Sequence, residues 1–238
     1  MGSDRDNVKN QYFGDVNDYL KYGLLRCFAN VGLSIGVCWM LTPDDDRSDG
    51  RKITYLSDPE LWRPHDPALF DVLTRLVSSQ QRHVRFAKNS ACLRESLFFN
   101  QLVPSDRILR EKWLTRALTK LAGAEVVFFD PDNGIEVRSK PKGSRGSDKY
   151  VYWDEIQRAW VKGSSLLIFQ HFPRSNHQLF ATTLMAKLQE HIKGGKVISL
   201  VTSNVLYLLA CKPQHQLKLQ KALDDIDRKW DGRIAILS

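Results

Sequence analysis

Two near-continuous apolar runs, Glu125-Val126-Val127-Phe128-Phe129 and Ser165-Leu166-Leu167-Ile168-Phe169, set the tightest limit on how this chain can fold. Strands that do not alternate apolar with polar residues must be covered on both faces, as in parallel sheets wrapped by helices. A third run, Ser34-Ile35-Gly36-Val37-Cys38-Trp39-Met40-Leu41, has strand length and breaks at Thr42-Pro43. Val16, Tyr19, Leu20, Leu24 and Phe28 fall near one face, predicting a helix over 16–30 with Gly14 or Asp15 available as its cap. Further helices are predicted over 68–77, 105–121, 153–161, 176–192 and 213–230, and short strands over 53–56, 84–87 and 233–237. Residues 196–201 and 205–211, split by Thr202-Ser203-Asn204, read as an antiparallel hairpin at the sheet's end. The expected fold class is therefore α/β, a doubly wound and mostly parallel sheet with a C-terminal antiparallel hairpin, in a single domain over 1–238.

The bulk numbers agree with one globular domain: 238 residues, 42% hydrophobic and 26% charged. No run approaches the ~20 apolar residues that cross a bilayer, and the polar stretch 1–11 is not an export signal, so a cytoplasmic protein with no membrane partner is expected. Cys27, Cys38, Cys92 and Cys211 are far apart and in mostly apolar contexts, as reduced core thiols are. A net charge of +8 favours a polyanionic partner, nucleic acid or nucleotide, because neutralising phosphates releases counterions. Charge alone does not establish one.

Ligands of open α/β sheets bind beyond the carboxyl ends of the strands. That places the turn Asp130-Pro131-Asp132-Asn133-Gly134 where chemistry happens, with Asp130, Asp132 and Asn133 as candidate catalytic groups and Pro131 and Gly134 shaping the substrate side. A plain strand-ending turn uses the same residue types. A second constellation runs from Gln11 to Leu25, where Lys21 shares a helix face with Asn17 and Asp18, and Asp15 stands at the helix start. An ordinary capped helix with a surface ion pair would also read this way. His171 at the end of the next strand reads either as a hydrogen-bonded structural residue or as an acid, base or substrate contact, and Asp44-Asp45-Asp46 after the first strand are either a solvated loop or ligands. Residues 138–149 lose apolar side chains and predict a flexible loop, whose Lys140, Lys142, Arg145 and Lys149 suit phosphate contacts.

Three stretches resemble the bacterial 23S ribosomal RNA adenine N6-methyltransferases of the class I, S-adenosylmethionine-dependent fold. Phe13-Gly14-Asp15-Val16-Asn17-Asp18-Tyr19-Leu20-Lys21-Tyr22 is similar to that family's amino-terminal Gly-Asn-Phe-Ala-Asp helix start with its following lysine. Val127-Phe128-Phe129-Asp130-Pro131 resembles the strand and first residues of its Asp-Pro-Pro-Tyr motif, and residues 205–213 its late apolar strand. The resemblance implies a Rossmann-like fold, S-adenosylmethionine as cofactor, Asp15, Asn17, Lys21 and Asp44 near that cofactor, and Asp130 and Asn133 orienting the acceptor. The chain departs from the pattern twice. Asp-Pro-Asp-Asn-Gly has no aromatic to stack on a base, which argues against adenine N6 as the target, and Leu41-Thr42-Pro43 has no glycines to let a cofactor approach the backbone.

Three functions are therefore expected to compete. The first is a methyltransferase-like enzyme acting on nucleic acid or nucleotide. The second is a Mg-dependent nuclease or phosphodiesterase, with Asp15, Asp130, Asp132 and Glu136 as oxygen ligands. The third is a non-catalytic nucleic-acid-binding module of the same fold. A residue that serves a ligand adds little to stability, so Asp130→Ala is expected to abolish activity and leave the thermal midpoint nearly unchanged.

Overall fold

A computed structural model describes residues 13–43, 52–83, 86, 92–93 and 95–237. The strands are β1 (Ile35–Met40), β2 (Leu97–Phe99), β3 (Val126–Pro131), β4 (Gly134–Ile135), β5 (Tyr150–Val151), β6 (Ser165–His171), β7 (Lys196–Val201), β8 (Val205–Cys211) and β9 (Ala235–Leu237). The helices are α1 (Val16–Asn30), α2 (Pro59–Trp62), α3 (Pro67–Ser78), α4 (Arg107–Lys120), α5 (Trp153–Val161), α6 (His177–His191) and α7 (Gln216–Lys229). Seven strands form one sheet in the order β2-β1-β3-β6-β8-β7-β9. The β2, β1, β3 and β6 strands are mutually parallel, while β8 runs antiparallel to both β6 and β7, and β9 runs antiparallel to β7.

Both faces are covered, as the unalternating strands require. Ile35, Val37, Val126, Phe128, Leu167, Tyr207 and Leu209 pack with α1, α3 and α7 on one face. Cys38, Met40, Val127, Phe129, Leu166, Ile168 and Leu208 pack with α4, α5 and α6 on the other. The four cysteines are buried and unbridged. No helix among the described residues is long and apolar enough to cross a membrane.

Helix α1 begins at an Asp15 cap, one of the two the sequence offered, and its residues are buried nearly all round. It lies on the sheet between α3 and α7. Its contact with the carboxy-terminal segment is close enough that a Cβ on Gly23 would stand 2.0 Å from Cζ2 of Trp230.

Three expectations are corrected. Residues 53–56 are not a strand; Thr54–Ser57 is a 3-10 turn leading into the Asp58-capped α2. The hairpin is not at the sheet's end, because β8 returns between β6 and β7, and β9 forms the edge. Residues 138–149 are not a featureless flexible loop. They fold through successive turns, with Lys140 N donating to Val137 O, Ser144 N to Pro141 O and Ser147 N to Ser144 O, and Ser147 and Asp148 are buried. The hydroxyl of Ser105 donates to Asp148 at 3.0 Å. The strand expected at 84–87 lies outside the described residues except for Phe86, as do Asp44, Asp45 and Asp46. Strands β2, β4 and β5 had no alternation long enough to announce them.

Gly23→Ala tests the packing of α1 directly. Alanine normally favours a helix by about 1 kcal/mol over glycine, yet here overpacking against Trp230 should leave a net loss of about 1–3 kcal/mol in a chemical denaturation series. A neutral or stabilised variant would show that α1 and the Trp230 ring do not meet this closely.

Candidate functional site

The parallel register sets Trp39 opposite Asp130 and Met40 opposite Pro131, so β1 and β3 present their carboxyl ends to one edge of the sheet. Alternation along β3 turns the Asp130 side chain, like Val126 and Phe128, toward the α1 face. There it meets Lys21, 109 residues earlier in the chain, whose Nζ donates to Asp130 Oδ2 at 2.8 Å. The same ammonium donates to Asp18 Oδ1 at 2.9 Å, one helical turn before it. Its remaining surroundings are aromatic, with the ring centroids of Trp39 and Phe169 each 5.4 Å away. The Lys21 and Asp18 side chains are 9% exposed and that of Asp130 17%. Burial alone would lower the Lys21 ammonium, but Asp130 and Asp18 more than offset it and hold the group above its usual range. Burial pushes the Asp130 carboxyl up, against the pull of Lys21. Oδ1 of Asp130 accepts no hydrogen bond among the described residues.

The start of α1 is built to hold Lys21 in that position. Asp15 Oδ1 accepts from Asp18 N at 2.9 Å, while Asp18 Oδ2 accepts from Gly14 N at 3.0 Å and from the Tyr22 hydroxyl at 3.3 Å. Burial first, and then the neighbouring Asp18 carboxylate, raise Asp15 to about 7. The Tyr207 hydroxyl of β8 donates to the Asn17 carbonyl at 3.4 Å. Asn17 Oδ1 is buried and has no hydrogen-bond partner among the described residues.

The turn after β3 is fastened separately. Gln170, at the end of β6, accepts from Ile135 N at 2.8 Å through Oε1, and its amide donates to the Asn133 carbonyl at 3.4 Å. Gly134 has φ +107, and a Cβ there would stand 2.3 Å from Gln170 Oε1, so the position demands glycine twice over. Asn133 N donates to the Lys149 carbonyl at 2.8 Å. Asp132 accepts from Thr42 Oγ1 at 3.4 Å and lies 3.6 Å from Lys149 Nζ. His171 stands exposed at the end of β6, edge-on to Phe169 at 4.8 Å.

Of the residues singled out by sequence, Asp15, Asn17, Lys21 and Asp130 come together around α1, and Asp132, Asn133, Gly134, His171 and Lys149 gather at the neighbouring strand ends. Lys140 Nζ reaches the Arg145 carbonyl at 3.5 Å within their own turn, and the Lys140 carbonyl accepts from the Tyr152 hydroxyl at 2.9 Å. Lys142 turns away to Asp154 at 2.5 Å and Glu155 at 3.4 Å on the opposite face. Glu136 accepts from Trp153 N at 2.9 Å, where it serves the start of α5. The four carboxylates of the Mg reading therefore do not converge, and among the described residues no group of three or more His, Cys, Asp or Glu is placed to hold a metal ion. Asp18 and Gln170 are the residues that sequence reading undervalued. Each carried a signal: an acid three residues before the key lysine, and an amide ending an otherwise apolar strand.

No family model and no curated protein matches the chain. Among solved structures it is similar to protein LPL1258 from Legionella pneumophila str. Philadelphia 1, described under family model DUF519, at 14% identity and a TM-score of 0.45, over 94% of this chain and 96% of that one.

Two consequences can be measured. Lys21→Met leaves Asp18 and Asp130 buried without their cation and should cost about 3–5 kcal/mol at neutral pH; adding Asp130→Asn should recover part of it, and additive losses would show that the pair is not coupled. Against the earlier expectation, Asp130→Ala should also lower the thermal midpoint. Asp15 gives the second. Between its ordinary value of 3.8 and about 7 the folded chain holds a proton that the unfolded chain releases, so stability falls as pH rises through that window. Asp15→Asn keeps the cap and removes the proton, and should gain on the parent by about 2–4 kcal/mol from pH 4 to pH 8; a difference that stays flat with pH would place the Asp15 carboxyl in water.

Proposed function

We propose that this chain is a methyltransferase-like enzyme that transfers a methyl group from S-adenosylmethionine to a nucleic acid or nucleotide at the carboxyl edge of β3. One observation carries the reading. The three stretches that resemble the class I family, far apart in sequence, meet around the start of α1: Lys21 on Asp130 at 2.8 Å, and Tyr207 on the Asn17 carbonyl at 3.4 Å. The mixed sheet with its antiparallel carboxy-terminal hairpin supports the same reading.

Such a cofactor would be held here by side chains rather than by a glycine-rich backbone. Asn17, whose buried Oδ1 has no partner among the described residues, and Asp132 beside Thr42 at the end of β1 would hold the amino and hydroxyl groups of S-adenosylmethionine. When bound, that cofactor supplies an electrophilic methyl group. Asp130 receives the acceptor: Lys21 occupies Oδ2 and fixes the carboxylate plane, leaving Oδ1 to accept a hydrogen bond from the N–H or O–H to be methylated. A carboxyl raised by burial is also a better proton acceptor as that group loses its hydrogen. The rest is positioning, worth more here than acid–base chemistry because the transfer needs an in-line approach.

A second reading, a nucleic-acid-binding module of the same fold without transfer chemistry, is favoured by one specific observation: the bridge from Leu41 to Leu102 continues β1 into Thr42-Pro43 with no glycine. Calorimetric titration with S-adenosylmethionine, followed by transfer of a labelled methyl group to mixed RNA, DNA and nucleotide acceptors, separates the two. The enzyme reading expects heat without added metal, and Asp130→Asn should bind the cofactor like the parent and transfer about 100-fold more slowly. Absence of cofactor heat in the parent would leave the binding module.

A further inference from the structure

A cavity of about 520 Å³ opens beside the Asp130 cluster, on the neighbouring face of α1, and the proposed transfer does not use it. Its floor is Val16 and Leu20. One wall is the segment from Lys52 through Thr54 to Trp62, and the other is Ser203 and Asn204 together with Arg233. Ser203 and Asn204 lie in the turn joining β7 to β8, and the next residue, Val205, is opposite His171. The cavity therefore opens at the same carboxyl edge of the sheet as the Asp130 turn.

Its charge is unusual for a protein wall. Lys52 and Arg233 have no carboxylate partner among the described residues. Asp58, the acid in the lining, is engaged as the cap of α2, accepting from Leu61 N at 3.4 Å. The wall is also held in shape. Val16 N donates to the Lys52 carbonyl at 3.0 Å, tying that backbone to the start of α1. The Arg233 guanidinium lies 4.2 Å from the Trp62 ring centroid, and the Tyr19 hydroxyl donates to the Trp62 carbonyl at 2.8 Å. The volume lies within the roughly 300–1,000 Å³ of small-molecule sites. Two cations without a carboxylate partner among the described residues suit a phosphate, the hydroxyls and amide of Thr54, Ser203 and Asn204 suit a sugar and phosphate oxygens, and the apolar floor with Trp62 suits a flat base.

We propose that this cavity binds one nucleotide unit, with its phosphate between Lys52 and Arg233 and its base over Val16, Leu20 and Trp62. It would anchor the substrate whose acceptor group reaches Asp130, and in that role it rests on the acceptor reading above. The unit is either a free mononucleotide or one residue of a nucleic-acid strand, since both present the same phosphate and base.

Calorimetry at low salt with AMP, adenosine, inorganic phosphate and a short single-stranded oligonucleotide tests this on the full chain. AMP should bind at least about tenfold more tightly than adenosine or phosphate alone, because both halves of the cavity are then used. Lys52→Glu and Arg233→Gln should each weaken AMP about tenfold or more, as expected for loss of a charge-assisted contact. The Lys52 side chain is exposed, so Lys52→Glu leaves the fold intact even if Arg233→Gln loosens Trp62. Binding of the oligonucleotide but not of AMP, weakened by Lys52→Glu, supports the site with a strand as the source. If neither AMP nor the oligonucleotide binds, or if both variants bind them like the parent, the proposal is overturned. Cofactor heat absent with AMP binding retained defeats the transfer reading alone, and the reverse pattern defeats the cavity alone.

Discussion

An ammonium group buried between two carboxylates and two aromatic rings is the constraint on which this molecule turns. Lys21 cannot be buried between α1 and the sheet without Asp18 and Asp130 to replace its water, and burial alone pushes the Asp130 carboxyl toward its neutral form. The arrangement fixes how α1 lies on the sheet, since Asp18 is itself held by Gly14 N and the Tyr22 hydroxyl. It also decides which oxygen of Asp130 is left for a ligand. A structural ion pair and a preorganised acceptor site are thus the same object, and changes that weaken one weaken the other.

The second organising feature is the carboxyl edge of the sheet. Parallel strands β1, β3 and β6 bring their ends into register, so Thr42, Asp132, Gln170 and His171 become neighbours there despite their separation in sequence. The hairpin strand β8 then enters beside β6, which carries Tyr207 to α1 and the Ser203–Asn204 turn to the cavity. Basic groups at this edge are unevenly committed. Lys21 and Lys149 face carboxylates of the cluster, whereas Lys52 and Arg233 face the cavity.

The sequence by itself determined the longer elements and their cover. Capping at Asp15, helical spacing over 16–30 and the apolar runs at β1, β3 and β6 act through local geometry and burial, which are periodic and therefore legible. It also marked Asp130 and Lys21 as the residues to watch, because polar groups bordering so apolar a strand or helix need partners. Tertiary structure alone decided that these two are each other's partners. Their contact spans 109 residues and depends on sheet order, which no local period encodes. The same holds for β8 lying inside the sheet rather than at its end, for Lys142 turning to Asp154 and Glu155, and for the ordering of 138–149 by Ser105. Polar, glycine-rich composition says that a segment lacks a core of its own; whether it is held by someone else's hydrogen bonds is settled only when distant residues are brought beside it.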